Sequence, residues 1–364
     1  MKAWLIEKKA DEKPAMRFVD VLDLVPGPQD LLVKLRAAGL NRADLGLNAG
    51  HYSRISTRPP HPIAGLEAAG EVIGVGSEVS GWSTGERVMG MPSGAFAEQI
   101  VIDHRLAVRV PAQLSWSAAA ALPVALFTAH DAVVTNGRLA TGEAIFIQAA
   151  SSGVGIAATQ IARIRGAVVV SGTASAAKIP RLAAYGLTHG IDYAAGAAAD
   201  AVMAATREAG ANLIIDMVGA KAIDDHLALA ALGARWIQIG RMGGISGPVD
   251  LNELARKRIA LIGVTFRTRN VEEFADVVHS AWRELGAAVI DGRFAMPVEQ
   301  VFALNEADRA MQLMRENRHF GKFILETCSA SSPCGRKRAV AGGSIRYCAR
   351  HPARHAGALD HPRA

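Results

Sequence analysis

One β-α-β unit constrains the fold of this 364-residue chain more than any other stretch. An apolar run at residues 144–149 is typical of a strand buried on both faces. The turn at 151–155 reads SSGVG and leads into apolar residues at helical spacing, which Gly166 ends. A second apolar run at 168–170 closes the unit. This order of strand, glycine turn, helix and strand predicts a parallel sheet with a phosphate-binding turn.

The residues of the turn suit the pyrophosphate of a dinucleotide. Gly153 permits a sharp bend, and Gly155 leaves the main chain open to a phosphate. Ala158 is the small residue that lets the helix pack on the strand. The helix N-terminus adds N–H groups and the positive end of a dipole. We therefore predict dinucleotide binding here, with a tight turn that holds no ligand as the alternative.

The end of the second strand favours NADPH as the cofactor. Residues 171–175 contain no acid, whereas an NAD site has a carboxylate there for the ribose hydroxyl. Lys178 follows, and Tyr193 closes the next strand-like segment. A lysine attracts a 2′-phosphate. The alternative for Lys178 is a solvated lysine at a helix start, and Pro180 constrains where that helix begins.

The net charge of +6 comes from the last part of the chain. Residues 328–364 carry seven Lys and Arg residues against one acid, so residues 1–327 hold 33 of each sign. All three cysteines also lie in 328–364, which leaves residues 1–327 without disulfides or thiolate metal ligands. Their spacing matches no zinc pattern, and the composition predicts a disordered basic tail with no specific nucleic-acid partner.

Two further absences in the sequence bear on localisation. The N-terminus lacks the apolar region of a signal peptide, and we find no apolar run long enough to span a membrane. Half of the residues are hydrophobic, which suits two domains with full cores. The expectation is a soluble, cytoplasmic protein with no membrane partner.

The chain divides into two kinds of pattern. Short strands separated by glycine turns before residue 90 predict an antiparallel, barrel-like domain. Alternating strands and helices then predict a mostly parallel sheet with helices on both faces. Late strands at 293–301 and 323–325 return to the first domain, joined by a helix that Asn305 caps. The predicted divisions are 1–122 and 266–327 for the first domain, 123–265 for the dinucleotide-binding domain, and 328–364 for the tail.

Seven segments give the chain a family resemblance. They are LNRADL (40–45), GLEAAGEV (65–72), ASSGVGIAATQIAR (150–163), ANLIIDMVG (211–219), GARWIQIGRMGG (233–244), FRTR (266–269) and ENRHFGKFIL (316–325). The chain resembles the NADPH:quinone oxidoreductases among the zinc-independent medium-chain dehydrogenases/reductases. This resemblance implies an α/β fold: a GroES-like β-barrel domain plus a Rossmann doubly wound parallel sheet, with the active site between them. It also implies a homodimer that joins Rossmann sheets edge to edge, with residues 259–264 as a contributing strand.

The resemblance also separates this chain from the zinc-dependent relatives. Asn41 stands where they have a catalytic cysteine, and Leu66 stands where a Gly-His-Glu motif supplies a zinc-binding histidine. The cysteine-rich structural lobe of those relatives is missing. Because leucine cannot bind zinc, we expect no metal site and no zinc-activated alcohol chemistry.

The resemblance assigns two overlapping groups of site residues. The expected cofactor-binding residues are Asn41, Thr128, Ser152, Gly153, Val154, Gly155, Ile156, Ala157, Ala158, Lys178, Tyr193, Gly240, Arg241, Met242, Phe266, Arg267, His319 and Lys322. The expected catalytic residues are Asn41, Asp44 and Tyr52, with Asn48 facing the same pocket. Each of the three has a structural alternative: a turn or cap for Asn41, packing for Tyr52, and a helix cap or a pair with Arg42 for Asp44.

The expected reaction is hydride transfer from NADPH to a quinone or an α,β-unsaturated carbonyl, with a homodimer as the working unit. The cofactor supplies the hydride, and donors such as the Tyr52 hydroxyl or the Asn41 amide stabilise negative charge on the acceptor oxygen. An enoyl-thioester reductase is the second hypothesis and needs a basic rim for a CoA or carrier phosphate. A non-catalytic NADPH-binding protein, structural or RNA-binding as crystallin-like family members are, is the third.

Overall fold

A computed structural model describes residues 1–7, 15–46 and 62–327. Asn48 and Tyr52, and the predicted tail at 328–364, lie outside these residues. The first part of the chain forms seven strands. They are β1 (Lys2–Glu7), β2 (Ala15–Asp20), β3 (Asp30–Gly39), β4 (Ala68–Val75), β5 (Arg87–Gly90), β6 (Gln99–Asp103) and β7 (Ala107–Arg109).

The middle of the chain alternates helices and strands after two buried helices. The elements are α1 (Trp116–Ala120), α2 (Pro123–His130), β8 (Ala144–Ile147), α3 (Gly153–Ile164), β9 (Val169–Ala174), α4 (Ile179–Ala183), β10 (His189–Asp192), α5 (Ala199–Ala205), β11 (Ala211–Asp216), α6 (Ile223–Leu229), β12 (Ala230–Gln238), α7 (Leu251–Arg256) and β13 (Ala260–Gly263). Their six strands pair in parallel in the order β10-β9-β8-β11-β12-β13. The order reverses between β8 and β11, which is where an open parallel sheet binds ligands.

The last part of the chain returns to the first sheet. It comprises α8 (Val271–Ile290), β14 (Val298–Ala303), α9 (Ala307–Arg315) and β15 (Lys322–Glu326). β15 inserts between β14 and β3, and the order continues through β4, β5 and β7, with β6 also paired to β3. β1 and β2 form a separate two-stranded sheet. A continuous apolar core joins this barrel to the parallel sheet, so the two halves pack as one body.

The sequence predicted the fold class correctly and misplaced several boundaries. The strand predicted at 144–149 ends at Ile147, and the next begins at Val169, where its ladder with β8 begins opposite Ala144. The helix predicted over 221–231 is α6, which ends at Leu229 where β12 begins. Asn305 does not cap α9. It lies inside a 3-10 turn, Leu304–Glu306, in which Glu306 accepts a hydrogen bond from the N–H of Ala303 at 3.0 Å.

One expectation about apolar length was wrong. The continuous helical segment Trp116–Asn136, which includes α1 and α2, is long and apolar enough to cross a membrane. Most of this segment is buried inside the protein. A buried core helix meets the same criterion of length and composition, so the segment is weak evidence for a membrane span.

Candidate functional site

The glycine turn between β8 and α3 forms the centre of the site. A Cβ on Gly155 would lie 2.6 Å from the carbonyl oxygens of both Ala149 and Ala150, so no side chain fits there. Ser152 is the N-cap of α3, and its hydroxyl accepts a hydrogen bond from the N–H of Gly155 at 3.0 Å. The same hydroxyl donates to the sulfur of Met217, which follows β11, at 3.3 Å. The turn is thereby fixed at the point where the strand order reverses.

The N-terminus of α3 offers donors that the fold does not use. The N–H groups of Gly153 and Val154 have no acceptor within the part of the chain that the structure describes. Both residues are partly exposed. Free N–H groups and the positive end of a twelve-residue helix suit a pyrophosphate, so the turn fits a dinucleotide.

The next three predicted residues lie deeper in the helix. The side chains of Ile156, Ala157 and Ala158 are fully buried, and the N–H of Ile156 is already bonded to the carbonyl oxygen of Ser152. Their small or apolar side chains pack α3 on the sheet. The structure therefore gives these three residues a packing role and leaves contact with a ligand to the turn before them.

Lys178 lies just beyond the carboxyl end of β9. It follows β9 as the N-cap of α4, and its Nζ donates to the carbonyl oxygen of Asn317 at 2.7 Å. Burial lowers the pKa of Lys178, and the nearby charge of Arg42 lowers it further. Tyr193 follows the neighbouring strand β10 and is 56% exposed. Both residues sit at the carboxyl edge of the sheet.

A buried charged cluster joins the barrel to the glycine turn. Glu67 is fully buried and Lys322 is 3% exposed, and the Lys322 ammonium donates to the Glu67 carboxylate. Lys322 also donates to Oδ1 of Asn41 at 2.7 Å, and Nδ2 of Asn41 donates to Glu67 at 2.9 Å. The second carboxylate oxygen of Glu67 accepts from the N–H of Val124, at the start of α2, at 2.8 Å. Both oxygens of the buried Glu67 carboxylate therefore accept hydrogen bonds, which offsets the cost of burying its charge.

The cluster is in direct contact with the dinucleotide turn. A Cβ on Gly153 would lie 3.3 Å from Cδ of Lys322, so the lysine stem lies over the turn.

Asn41 and Lys322 were predicted, but Glu67 was not. Its signal was the acid in Gly65-Leu66-Glu67, the segment in which Leu66 replaces a zinc-binding histidine. An acid in an otherwise apolar, glycine-rich segment needs a buried cation, and that need could have indicated its role.

Asp44 makes a hydrogen bond at the start of the short helix that follows β3. It is fully buried, and its carboxylate accepts a hydrogen bond from the N–H of Asn41 at 2.6 Å. This bond helps to close the short 3-10 helix Arg42–Leu45 that follows β3. The structure thus supports the helix-capping alternative for Asp44. Thr128 lies on α2 and is buried, 7% exposed.

The remaining predicted residues follow β12 and β13. Gly240 packs so closely that a Cβ would lie 2.5 Å from the carbonyl oxygen of Met217, and Met242 is 66% exposed. Burial lowers the pKa of Arg267, and the charge of Arg241 lowers it further, so the two guanidinium groups lie near each other. Phe266 packs on the ring of Phe274, with centroids 4.6 Å apart. These residues lie at the same edge of the sheet as the turn.

His319 is the predicted residue with the most perturbed environment. Burial lowers its pKa to about 4, and the charges of Lys178, Arg42 and Lys322 contribute to the shift. Its Nδ1 is buried and has no hydrogen-bond partner among the described residues. The ring lies against Phe323, with centroids 4.6 Å apart. His319 is therefore neutral at physiological pH, and the charges that act on it are those of three cations and one acid, Glu299.

The fold and this site define a dinucleotide-binding protein built from a GroES-like barrel and a Rossmann sheet. Family models match both parts: the alcohol dehydrogenase GroES-like domain over residues 27–112 and the zinc-binding dehydrogenase over residues 153–283. Across the described ranges, no group of three or more His, Cys, Asp or Glu side chains is placed to hold a metal ion.

Individual relatives narrow the class further. Quinone oxidoreductase-like protein 2 of Mus musculus is 32% identical over 86% of this chain and 89% of its own length. Polyketide synthase GfsB of Streptomyces halstedii is 32% identical over 83% of this chain, which spans 5% of that much longer protein. Mycobacterial Rv1454c complexed with NADPH is 26% identical, with a TM-score of 0.79 over 90% of this chain and 100% of its own. The CurK enoyl reductase, 24% identical with a TM-score of 0.75 over 89% of this chain and 99% of its own, shows the fold alone.

The chain belongs to the quinone oxidoreductase family of zinc-independent medium-chain dehydrogenases/reductases. The family resemblance and the fold class stated from the sequence are both confirmed. The family places the chain among the oxidoreductases of the medium-chain class.

Proposed function

We propose that this protein is an NADPH-dependent reductase that transfers hydride to quinones or α,β-unsaturated carbonyls. The observation that carries the choice of cofactor is the carboxyl end of β9. A lysine, Lys178, stands there, and residues 171–175 provide no carboxylate to repel a 2′-phosphate. The glycine turn would hold the pyrophosphate through the free N–H groups of Gly153 and Val154.

The cluster around Lys322 has a defined part in this proposal. NADPH, when bound, supplies the hydride, and the chain orients it and sets the polarity around it. The Asn41 amide is already engaged, since it accepts from Lys322 and donates to Glu67. We therefore assign Asn41 to holding the lysine over the turn. Stabilisation of negative charge on the acceptor oxygen falls to the Tyr52 hydroxyl in this proposal.

The test measures turnover of NADPH with a panel of acceptors, and the readout is the loss of NADPH absorbance. The panel holds an ortho-quinone, a para-quinone, a simple enone and crotonyl-CoA, with NADH run in parallel. Turnover of quinones or the enone with a preference for NADPH supports the proposal. Failure of every quinone and the enone to oxidise NADPH overturns it.

An enoyl-thioester reductase is the second candidate. Its support is the similarity to a segment of polyketide synthase GfsB and to the fold of the CurK enoyl reductase. A strong preference for crotonyl-CoA over the quinones and the enone would favour this candidate. Tight NADPH binding without turnover of any acceptor would instead favour a non-catalytic binding protein.

We also propose that two copies pair through β13. This strand lies at the edge of the six-stranded sheet, and Leu261 on it is 47% exposed. Ile245, which lines the same surface depression of about 200 Å³, is 87% exposed. An exposed apolar sheet edge of this kind is suited to pairing with a second strand.

A further inference from the structure

Asn317 connects two cations that come from different halves of the molecule. Arg42 begins the 3-10 helix after β3, in the barrel, and its guanidinium donates to Oδ1 of Asn317 at 2.8 Å. Lys178, at the carboxyl end of β9 in the parallel sheet, donates to the main-chain oxygen of the same residue at 2.7 Å. Asn317 has a φ of +57°, in the left-handed region that asparagine tolerates. Asn317 thus presents one side-chain and one main-chain oxygen to two facing cations.

Within the described ranges neither cation forms an ion pair with an acid, although the charge of Glu299, which pairs with Arg181, also acts on Lys178. Arg42 and Lys178 make no ion pair there, whereas the neighbouring cations do: Arg181 pairs with Glu299 at 2.9 Å, and Lys322 pairs with Glu67. Burial lowers the pKa of both unpaired groups, and the charge of Arg42 lowers the pKa of Lys178 further. Two amide oxygens carry only partial charge, so the site retains an excess of positive charge.

The position of this excess positive charge in the sheet indicates which anion it would bind. The pyrophosphate site is the N-terminus of α3, after the first strand of the Rossmann order. The ribose hydroxyls of a bound dinucleotide lie after the second strand, which is β9 here. An anion held by Lys178 is therefore attached to the ribose. His319 is beside it, and its buried Nδ1 has no hydrogen-bond partner among the described residues.

We propose that Arg42 and Lys178 together bind the 2′-phosphate of NADPH across the cleft, and that Arg42 is a determinant of the preference for NADPH over NADH. This inference rests on the proposed function and adds a barrel residue to the cofactor site. The 2′-phosphate would bring full negative charge to the two cations, whereas the two Asn317 oxygens carry only partial charge. Guanidinium groups bind phosphate oxygens with two parallel hydrogen bonds, so the geometry suits a dianion.

The test uses Arg42→Gln in the full-length protein, which removes the charge and leaves a hydrogen-bond donor toward Asn317. Arg42→Lys keeps the charge, and Lys178→Gln removes the other cation. Arg283→Gln is the matched control, because Arg283 is an exposed arginine on α8 whose side chain bonds only Ser280 among the described residues. Calorimetry measures the affinity of each variant for adenosine 2′,5′-bisphosphate and for adenosine 5′-monophosphate. Fluorescence titration measures the affinity for NADPH and NADH.

We expect Arg42→Gln to weaken binding of the bisphosphate and of NADPH by about 10- to 100-fold, as the loss of one charge-assisted contact predicts. Its affinity for the monophosphate and NADH should stay within about twofold of the wild type, because those ligands lack the 2′-phosphate. Arg42→Lys should retain most of the affinity. The control should match the wild type with all four ligands.

Three results would overturn the inference. If Arg42→Gln is folded and keeps the wild-type ratio of NADPH to NADH affinity while Lys178→Gln loses it, Arg42 is not part of the phosphate site, and the proposed NADPH dependence stands. If Arg42→Gln weakens all four ligands equally, the residue has a general structural role. If the wild type itself binds the bisphosphate no better than the monophosphate, the phosphate site and the choice of NADPH fail together.

Discussion

Replacing Glu67 by glutamine tests whether the buried pair with Lys322 holds the site together. Glu67 has no exposed surface, and its carboxylate accepts bonds from the Lys322 ammonium, Asn41 and the Val124 N–H. A glutamine has the same size but offers one oxygen and one NH₂ group. In either orientation its NH₂ group faces a donor, either the ammonium or the Val124 N–H. The ammonium, 3% exposed, also loses its only acid partner among the described residues.

The structure sets the size of the effect. Breaking a buried ion pair by removing one partner costs about 3–5 kcal/mol, because the remaining charge stays buried without compensation. In a chain of this size, 1 kcal/mol corresponds to a shift in Tm of about 2 °C. We therefore expect Glu67→Gln to lower Tm by about 6–10 °C. Glu71→Gln is the matched control, because Glu71 pairs with Arg36 at the surface and such pairs contribute at most about 1 kcal/mol.

The decisive measurement adds Lys322→Met to Glu67→Gln and follows thermal unfolding by circular dichroism. Removing both charges leaves no uncompensated ion, so the double variant should be more stable than Glu67→Gln alone. Methionine also keeps the lysine stem over Gly153. If the two substitutions lower Tm additively, the pair does not act as a unit and the reasoning is refuted.

Three further predictions concern the turn, pH and assembly. Gly155→Ala should abolish measurable NADPH binding in a fluorescence titration, because the alanine Cβ would meet two carbonyl oxygens at 2.6 Å and force the turn to move. An unchanged affinity for NADPH would contradict the requirement for glycine at this position. The depressed pKa of His319 means that the unfolded chain binds its proton first, so the stability that this residue contributes is present above pH 6.5 and is lost as pH falls toward about 4. Urea unfolding of His319→Asn should show a weaker fall in stability over this range than the wild type, and identical slopes would refute the assignment. Leu261→Lys should shift the mass measured by light scattering from dimer toward monomer, whereas an unchanged mass would exclude the edge of β13 as the interface.

The dinucleotide unit could be predicted because its determinants are local. Buried runs around a glycine turn identify β8, α3 and β9 within thirty residues, and Gly166 ends the helix with a φ of +80°. The boundaries were less accurate because local patterns do not show which residues pair. β8 ends at Ile147, where its ladder with β11 ends, although the predicted run continued to Ala149. The alanine-rich stretch 228–231 favours helix by local propensity, but pairing with β11 makes it strand from Ala230 onward.

The charged cluster could not be predicted in the same way because its members are distant in sequence. Lys322 is 255 residues from Glu67 and 281 from Asn41. The family resemblance pointed to Asn41 and Lys322 one at a time and gave no reason for them to meet. Gly39 shows the constraint that the sequence hides. A Cβ there would collide with the Glu67 carboxylate and the carbonyl oxygen of Ala120, so this glycine is required by a side chain that arrives from another strand.

The sheet topology makes this cluster depend on the docking of β15. Lys322 is the first residue of β15, and β15 reaches the barrel only by inserting between β14 and β3. Until it does, Glu67 has no cation, the Asn41 amide lacks its donor and the stem over Gly153 is missing. A buried carboxylate without a partner is strongly unfavourable, so the barrel around Glu67 and the final strand stabilise each other. The glycine turn is formed by local sequence, but the Lys322 stem that lies over it belongs to β15. Cofactor binding and the docking of β15 should therefore be thermodynamically coupled.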